Sequence, residues 1–229
     1  MNIGQFLSKI FERIPEKHWK NDIRYFLAFN PMIPKFIQDI SPIKGYELYY
    51  KIKPGDVVVD AGAFTGDYTI FAAKKVGEQG KVVAFEPDKN NRIILRRNLK
   101  KKNLSNVIIV PKGLWDEETS LSIEQSDGLH TTISSKGDVH IQVTRLDTEL
   151  KKLKINHIDV LKMDIEGAEV EAIEGCKKTL LRDKPYVAIA SYHIRNKKPT
   201  SIFIENFLKK LGYITKSDFF KHRTTYGLR

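Results

Sequence analysis

An α/β fold, a mostly parallel sheet covered by helices on both faces, is predicted by three features of this 229-residue sequence. Short runs rich in Val and Ile alternate with helical segments from Lys53 onward. One run, Val57-Val58-Val59-Asp60-Ala61, passes through Gly62 and Gly66 directly into a helical pattern. Another, Val82-Val83-Ala84-Phe85, ends on Glu86-Pro87. Parallel strands are buried on both faces and read as continuous apolar runs, and their crossovers need about a helix of chain.

The elements follow in order. Ile3, Phe6, Leu7, Ile10, Phe11 and Ile14 recur at helical spacing until Pro15, and Trp19, Ile23, Phe26 and Leu27 form a second helix before Pro31 and Pro34. These helices are expected to form an extension over residues 1–44, ahead of a domain over 45–229. Lys9, Arg13, Lys17 and Lys20 flank the apolar stripe, which allows a peripheral membrane contact; the acids mixed among them favour a helical cap on the domain. Strands are expected near 57–61, 82–86, 107–111, 158–164 and 186–191, with helices near 65–76, 88–102 and 167–182. Two further short strands, 119–124 and 139–145, are expected around a polar loop from Gln125 to Asp138. A last helix over 201–211 stops at Gly212, and 213–219 with 222–228 read as a closing antiparallel hairpin.

Composition narrows the class of protein. The chain carries 39 Lys and Arg against 28 Asp and Glu, a formal charge of +11, and nine of those bases lie from Arg195 to Arg229 against only Glu205 and Asp218. Such an excess fits an anionic partner, RNA among them, or a solvated basic face; the dense bases of Arg92 to Lys102 read as the latter. The single cysteine, Cys176, excludes an internal disulfide and sits on an apolar helix face, which is a packing position. No run approaches the ~18 apolar residues of a membrane span, and Lys9, Glu12 and Arg13 interrupt a secretory core, so a cytoplasmic protein is expected.

In an open parallel sheet, ligands bind beyond the carboxyl ends of the strands, where Gly62, Glu86, Leu114 and Asp164 fall. The first turn is not a dinucleotide fingerprint, because Asp60 and Thr65 replace its first and third glycines and an acid there repels a diphosphate. No Gly-Lys-Ser/Thr follows Gly66, which excludes a P-loop. A nucleoside cofactor with a cationic rather than a phosphorylated end fits, and S-adenosylmethionine (SAM) is one. Glu86 is suited to accept hydrogen bonds from both hydroxyls of its ribose.

Around the fourth strand end, Lys162, Asp164 and Glu166 nominally share a face, with Glu169 beyond the Gly167-Ala168 turn. Methyl transfer is an in-line displacement that needs an aligned acceptor and removal of its proton. Asp164 or Glu166 suits that task, Lys162 would keep the carboxylates ionised, and His193 has the intrinsic range of a general base. A divalent metal on Asp164, Glu166 and His193 is a lesser alternative, since Glu166 and Glu169 serve equally to cap the next helix.

Several segments together resemble FkbM-type methyltransferases. Asp60-Ala61-Gly62-Ala63 resembles that family's DxGA turn, Phe85-Glu86-Pro87 its second strand end, and Arg145-Leu146-Asp147 its tLD element, with Arg in place of the usual Thr. Lys162-Met163-Asp164-Ile165-Glu166-Gly167-Ala168-Glu169 resembles the lKiDvEGaE signature, with Met163 for Ile. The resemblance spans Gly45 to His193. It implies a Rossmann-like class I methyltransferase with a seven-stranded sheet, SAM as cofactor, and O-methylation of a small-molecule or glycan hydroxyl. On the matching positions it implies that the methionine end meets Asp60, Gly62, Ala63, Phe64, Thr65 and Gly66, and that Glu86 holds the ribose. Adenine would lie against Pro87 and the Gly113-Leu114-Trp115 loop, with Asp164 also near the cofactor. Archaeal tRNA-modifying enzymes have similar domains, so an RNA acceptor is the rival reading. A SAM-binding or membrane-surface module without catalysis is the third, and the charged Asp164 cluster argues against it.

Overall fold

A computed structural model describes residues 42–126, 130–133, 139–195, 197–219 and 223–229. The chain divides into two compact units, residues 1–44 and 45–229. The helices expected over residues 3–27 lie outside the described residues, and the account below concerns the second unit.

The described elements are α1 (Pro42–Gly45), β1 (Val57–Ala61), α2 (Asp67–Val76), β2 (Lys81–Phe85), α3 (Lys89–Lys101), β3 (Val107–Val110), β4 (Gly113–Leu114), β5 (Thr119–Ser126), β6 (His130–Ile133) and β7 (Val139–Thr144). They continue with α4 (Leu146–Lys152), β8 (Val160–Met163), α5 (Glu169–Glu174), α6 (Lys177–Asp183), β9 (Tyr186–Ala190), β10 (Ile194–Arg195), β11 (Lys198–Pro199), α7 (Thr200–Lys210), β12 (Ile214–Phe219) and β13 (Arg223–Leu228). Seven strands form one sheet in the order β12-β13-β9-β8-β1-β2-β3. The five strands from β3 to β9 pair in parallel, whereas β13 is antiparallel to both β9 and β12. The Rossmann-like sheet and its closing hairpin are therefore present. The strand order reverses between β1 and β8, so the switch point at which an open parallel sheet forms its ligand crevice falls at the carboxyl ends of these two strands.

Both faces of the sheet are covered, as the apolar strands require. Val59, Ala61, Val83, Phe85, Leu161 and Met163 pack with Leu146 and Leu150 of α4, Ile173 of α5, Leu180 of α6, and Ile204 and Leu208 of α7. On the other face Ala84 packs with Ala63 and with Leu95 and Leu99 of α3. Asp60 and Lys162, paired in register across β1 and β8, alternate with the first set of residues. Cys176 is buried in that core, where loss of solvent pushes its thiol pKa upward, as a packing role requires.

Three elements differ from the sequence expectation. The helix expected over 167–182 is two helices, broken at Gly175-Cys176. A Cβ on Gly175 would lie 1.9 Å from the Trp115 carbonyl oxygen, so the chain passes too close to the β4 loop for any side chain. The loop expected from Gln125 to Asp138 contains β6, which continues the β5 ladder with Ile123 opposite Ile133 and Ser126 opposite His130. β4, β5, β6 and β7 make a separate four-stranded sheet. Residues of the Arg145-Leu146-Asp147 element open α4: Leu146 enters the core, and the Asp147 carboxylate accepts hydrogen bonds from Lys178 N (3.0 Å) and Thr179 N (2.8 Å) at the start of α6. Among the described residues no helix is long and apolar enough to cross a membrane.

Candidate functional site

The β1–α2 turn is shaped by two glycines at positive φ, +79° at Gly62 and +103° at Gly66. A Cβ at Gly62 would lie 1.9 Å from the Asp164 carbonyl oxygen, and one at Gly66 would lie 2.4 Å from the Leu95 side chain. The turn is thus pressed against the end of β8 on one side and α3 on the other. Its amides turn toward β2: Gly62 N and Ala63 N both donate to the Phe85 carbonyl, and Phe64 N donates to Glu86 Oε2 at 2.7 Å. Phe64, with φ +48°, holds its ring partly in solvent, and the Thr65 carbonyl accepts from Asn98 of α3. Gly66 begins α2 without a side-chain cap.

Glu86 is buried at the mouth of the crevice, with Oε1 accepting from Asp88 N at 2.9 Å and, more weakly, from Asn91 Nδ2 at 3.4 Å. Burial raises its pKa and the backbone donors pull it back, with a net upward shift. Oε2, with one backbone donor, retains acceptor capacity for a hydroxyl. Beside it, Pro87 is partly exposed and Gly113 and Trp115 line the loop of β4, but Leu114 is buried in the core. The Leu114 side chain packs in the core, so only the backbone of that residue is left to face a cofactor.

Asp60 and Lys162 do not open toward an acceptor. Lys162 Nζ donates to Asp60 Oδ1 at 2.8 Å and to the Ala61 and Gly62 carbonyls at 3.3 and 2.9 Å. The other Asp60 oxygen accepts from Thr69 Oγ1 of α2 at 2.6 Å. Burial opposes the Lys162 charge, but Asp60 and Asp164 outweigh it and its pKa lies above the usual lysine value. The Lys162 side chain straps the β1–α2 turn to β8, under the rings of Tyr46 and Tyr68, and its charge acts on Asp164 as well as Asp60. Asp60 shapes the turn from behind, since both its oxygens are engaged.

Asp164 and its neighbours occupy the end of β8. Asp164 Oδ2 accepts from the Tyr46 hydroxyl at 2.8 Å, while Oδ1 is buried and has no hydrogen-bond partner. After it comes a tight turn, with φ +56° at Glu166 and +101° at Gly167. Glu169, fully buried, closes that turn by accepting from Ile165 N and Gly167 N through Oε1. His193 lies between two carboxylates, Nε2 at 3.5 Å from Glu166 and Nδ1 at 3.4 Å from Glu169. Burial disfavours its charge, but the two carboxylates prevail and its pKa is pushed up to about 10. The two carboxylates thus favour the protonated form of the residue expected to act as general base. Among the described residues no group of three His, Cys, Asp or Glu side chains is placed to hold a metal ion.

Sequence reasoning missed two aromatic contributors, Tyr46 and Tyr68, whose rings meet edge to face at 5.6 Å. Neither carries a motif. Spacing gives no signal for Tyr46, because it is 118 residues from Asp164 in the chain.

The residues present fit SAM. The glycine cradle leaves room at the turn, Glu86 offers an acceptor for a ribose hydroxyl, and the buried Asp164 Oδ1 lacks a partner at the end where a cationic group would enter.

Comparison with known proteins agrees with this geometry. The family model described as "Methyltransferase FkbM domain" matches residues 60–215. "Methyltransferase 1" of Beauveria bassiana is 26% identical over 143 residues, covering 52% of this chain and 57% of that protein. The tRNA (adenine(57)-N(1)/adenine(58)-N(1))-methyltransferase TrmI of Methanocaldococcus jannaschii is 27% identical over 157 residues, covering 65% of this chain and 49% of that one. The chain thus spans about half the length of these curated relatives. A crystal structure of methyltransferase FkbM from Methylobacillus flagellatus KT superposes with a TM-score of 0.60 at 18% identity, covering 91% of this chain and 59% of that one, and shares the fold.

Proposed function

The chain belongs to the FkbM family of SAM-dependent methyltransferases, and from that premise we propose that it methylates a hydroxyl group of a small molecule or glycan. The observation that carries the reading is the convergence of the uncapped Gly62–Gly66 turn, Glu86 and the Asp164–Glu166 segment at the carboxyl ends of β1, β2 and β8. When bound, SAM supplies an electrophilic methyl whose departure leaves a neutral thioether, so the protein's task is alignment and proton management.

Glu86 holds the ribose through Oε2 and so sets the depth of the cofactor. Gly62 and Ala63 present backbone to its methionine end, and Trp115 and Pro87 flank the adenine. Asp164 stands on the cofactor side of the crevice. Glu166, exposed on its strained turn, lines up an acceptor hydroxyl and draws on its proton, and the imidazolium of His193 fixes the Glu166 carboxylate at 3.5 Å.

Glu86→Ala should reduce SAM affinity at least tenfold by calorimetry with an unchanged circular-dichroism spectrum, since a carboxylate hydrogen bond to a hydroxyl is worth about 1.5–3 kcal/mol. Unaltered affinity would remove Glu86 from the site. The acceptor class is read by incubating the protein with methyl-labelled SAM and separated glycan, small-metabolite, lipid and RNA fractions; label confined to the first two supports the proposal.

A second reading, an RNA acceptor, is favoured by one feature. No acid lies between Asp88 and Asp116, and Lys89, Arg96, Arg97, Lys100 and Lys101 are exposed on α3, which starts just beyond Glu86. A tRNA methyltransferase among the relatives supports it. Label in the RNA fraction, with binding that weakens steeply as salt rises, would select it.

A further inference from the structure

We propose that Tyr46, which precedes the matched family segment, is a positioning residue: it holds Asp164 so that the carboxylate's other oxygen, Oδ1, is the seat of the cofactor's sulfonium. This rests on the SAM-dependent reading above and deepens it.

The argument starts from which cations are already taken. Lys162 is the buried cation nearest this part of the crevice, and its ammonium is claimed by Asp60 and by the Ala61 and Gly62 carbonyls. His193 is claimed by Glu166 and Glu169. Asp164 faces Lys162 and Asp60 from the β1–β8 side, Tyr46 from the chain before β1, and Tyr192, beside Glu166 and His193, from the end of β9. Tyr46 donates to the Asp164 carboxylate at Oδ2, 2.8 Å away. A buried carboxylate oxygen without a partner is costly, and a positive ligand group removes that cost.

Position supports the same assignment. Asp164 N donates to the Ala61 carbonyl, and the Asp164 carbonyl oxygen lies where a Cβ of Gly62 would be. Its side chain therefore leaves the main chain directly beside the turn that receives the methionine end. Tyr46 is 5% exposed, its ring is wedged against Tyr68, and its hydroxyl stays a neutral donor because burial and Asp164 both raise its pKa far above the usual value. A rigid aromatic with a single donor fixes the carboxylate rotamer at little entropic cost.

The test compares two ligands that differ in the charge at sulfur. SAM carries the sulfonium, and S-adenosylhomocysteine carries a neutral thioether in the same frame. Calorimetry on the full chain should give Tyr46→Phe about a tenfold loss in SAM affinity and less than a twofold change for S-adenosylhomocysteine. Asp164→Asn should show the same selectivity, and Tyr46→Phe added to Asp164→Asn should cost nothing further, as expected of two groups acting as one unit. Equal losses for both ligands, or additive losses in the double variant, would reduce Tyr46 to a packing residue and overturn the proposal. Failure of the unaltered protein to bind either ligand would instead overturn the SAM-dependent reading, so the two failures are distinct. If Asp164→Asn proves unstable, the ratio of the two affinities in Tyr46→Phe alone still decides, because a general loss of structure lowers both.

Discussion

At the scale of single residues, the Asp60–Lys162 pair shows how a charged motif can serve the fold beneath a site. The pair is nearly solvent-free, with side chains 0% and 5% exposed. Removing one partner leaves the other charged and buried, so Lys162→Met should lower unfolding free energy by about 3–5 kcal/mol in urea titration. The loss should be partly recovered by adding Asp60→Asn. His193 gives a pH signature. Its pKa is near 6.5 in an unfolded chain and is pushed up to about 10 in the fold, so the protonated imidazole stabilises the native state. That contribution is fully present below about pH 6.5 and declines as pH rises toward 10. The melting-temperature difference between the unaltered chain and His193→Gln should therefore narrow between pH 6 and pH 10; a constant gap would contradict the ion-pair account. The candidates Glu86, Asp164 and Glu166 were legible in the sequence because each follows an apolar strand at a fixed offset. What each side chain contacts was not, because alternation fixes a face but not a partner. Lys162 and Asp164 share a nominal face, yet one is bound to β1 and the other to Tyr46.

At the scale of elements, the strands were readable because Val and Ile runs have no stable use except in a covered sheet. Helix boundaries were harder. Apolar periodicity continues from Ala168 through Leu181, and only the close passage of Trp115 over Gly175 breaks the helix there. Gly175→Ala should therefore force the β4 loop away from α5, at a cost of about 1–3 kcal/mol by chemical denaturation. Gly175 has φ −67°, so the cost is one of space and not of backbone strain. β6 was missed for a related reason. Gln125, Ser126, Thr131 and Thr132 are polar and give no burial signal, so their pairing depends on the neighbouring ladder rather than on hydrophobic pattern.

At the scale of the whole molecule, the residues proposed for the SAM site, from Tyr46 and the β1 turn to His193, lie within residues 45–229. We expect residues 45–229 expressed alone to bind SAM within about threefold of the full chain, with the remainder of the chain acting on acceptor choice or attachment; a large loss of SAM affinity would place part of the cofactor site in residues 1–44. By itself the sequence determined the parallel sheet, the glycine turn after its first strand and the family, because these rest on local patterns: apolar runs, glycines where backbone approaches backbone, and a carboxylate at a strand end. The tertiary structure alone decided which charges are spent and which are left. It bound Lys162 to Asp60, enclosed His193 between two glutamates, and brought Tyr46 to one oxygen of Asp164 while the other went without a partner. Those pairings join residues up to 118 positions apart, and the distances that set them exist only once the sheet has formed.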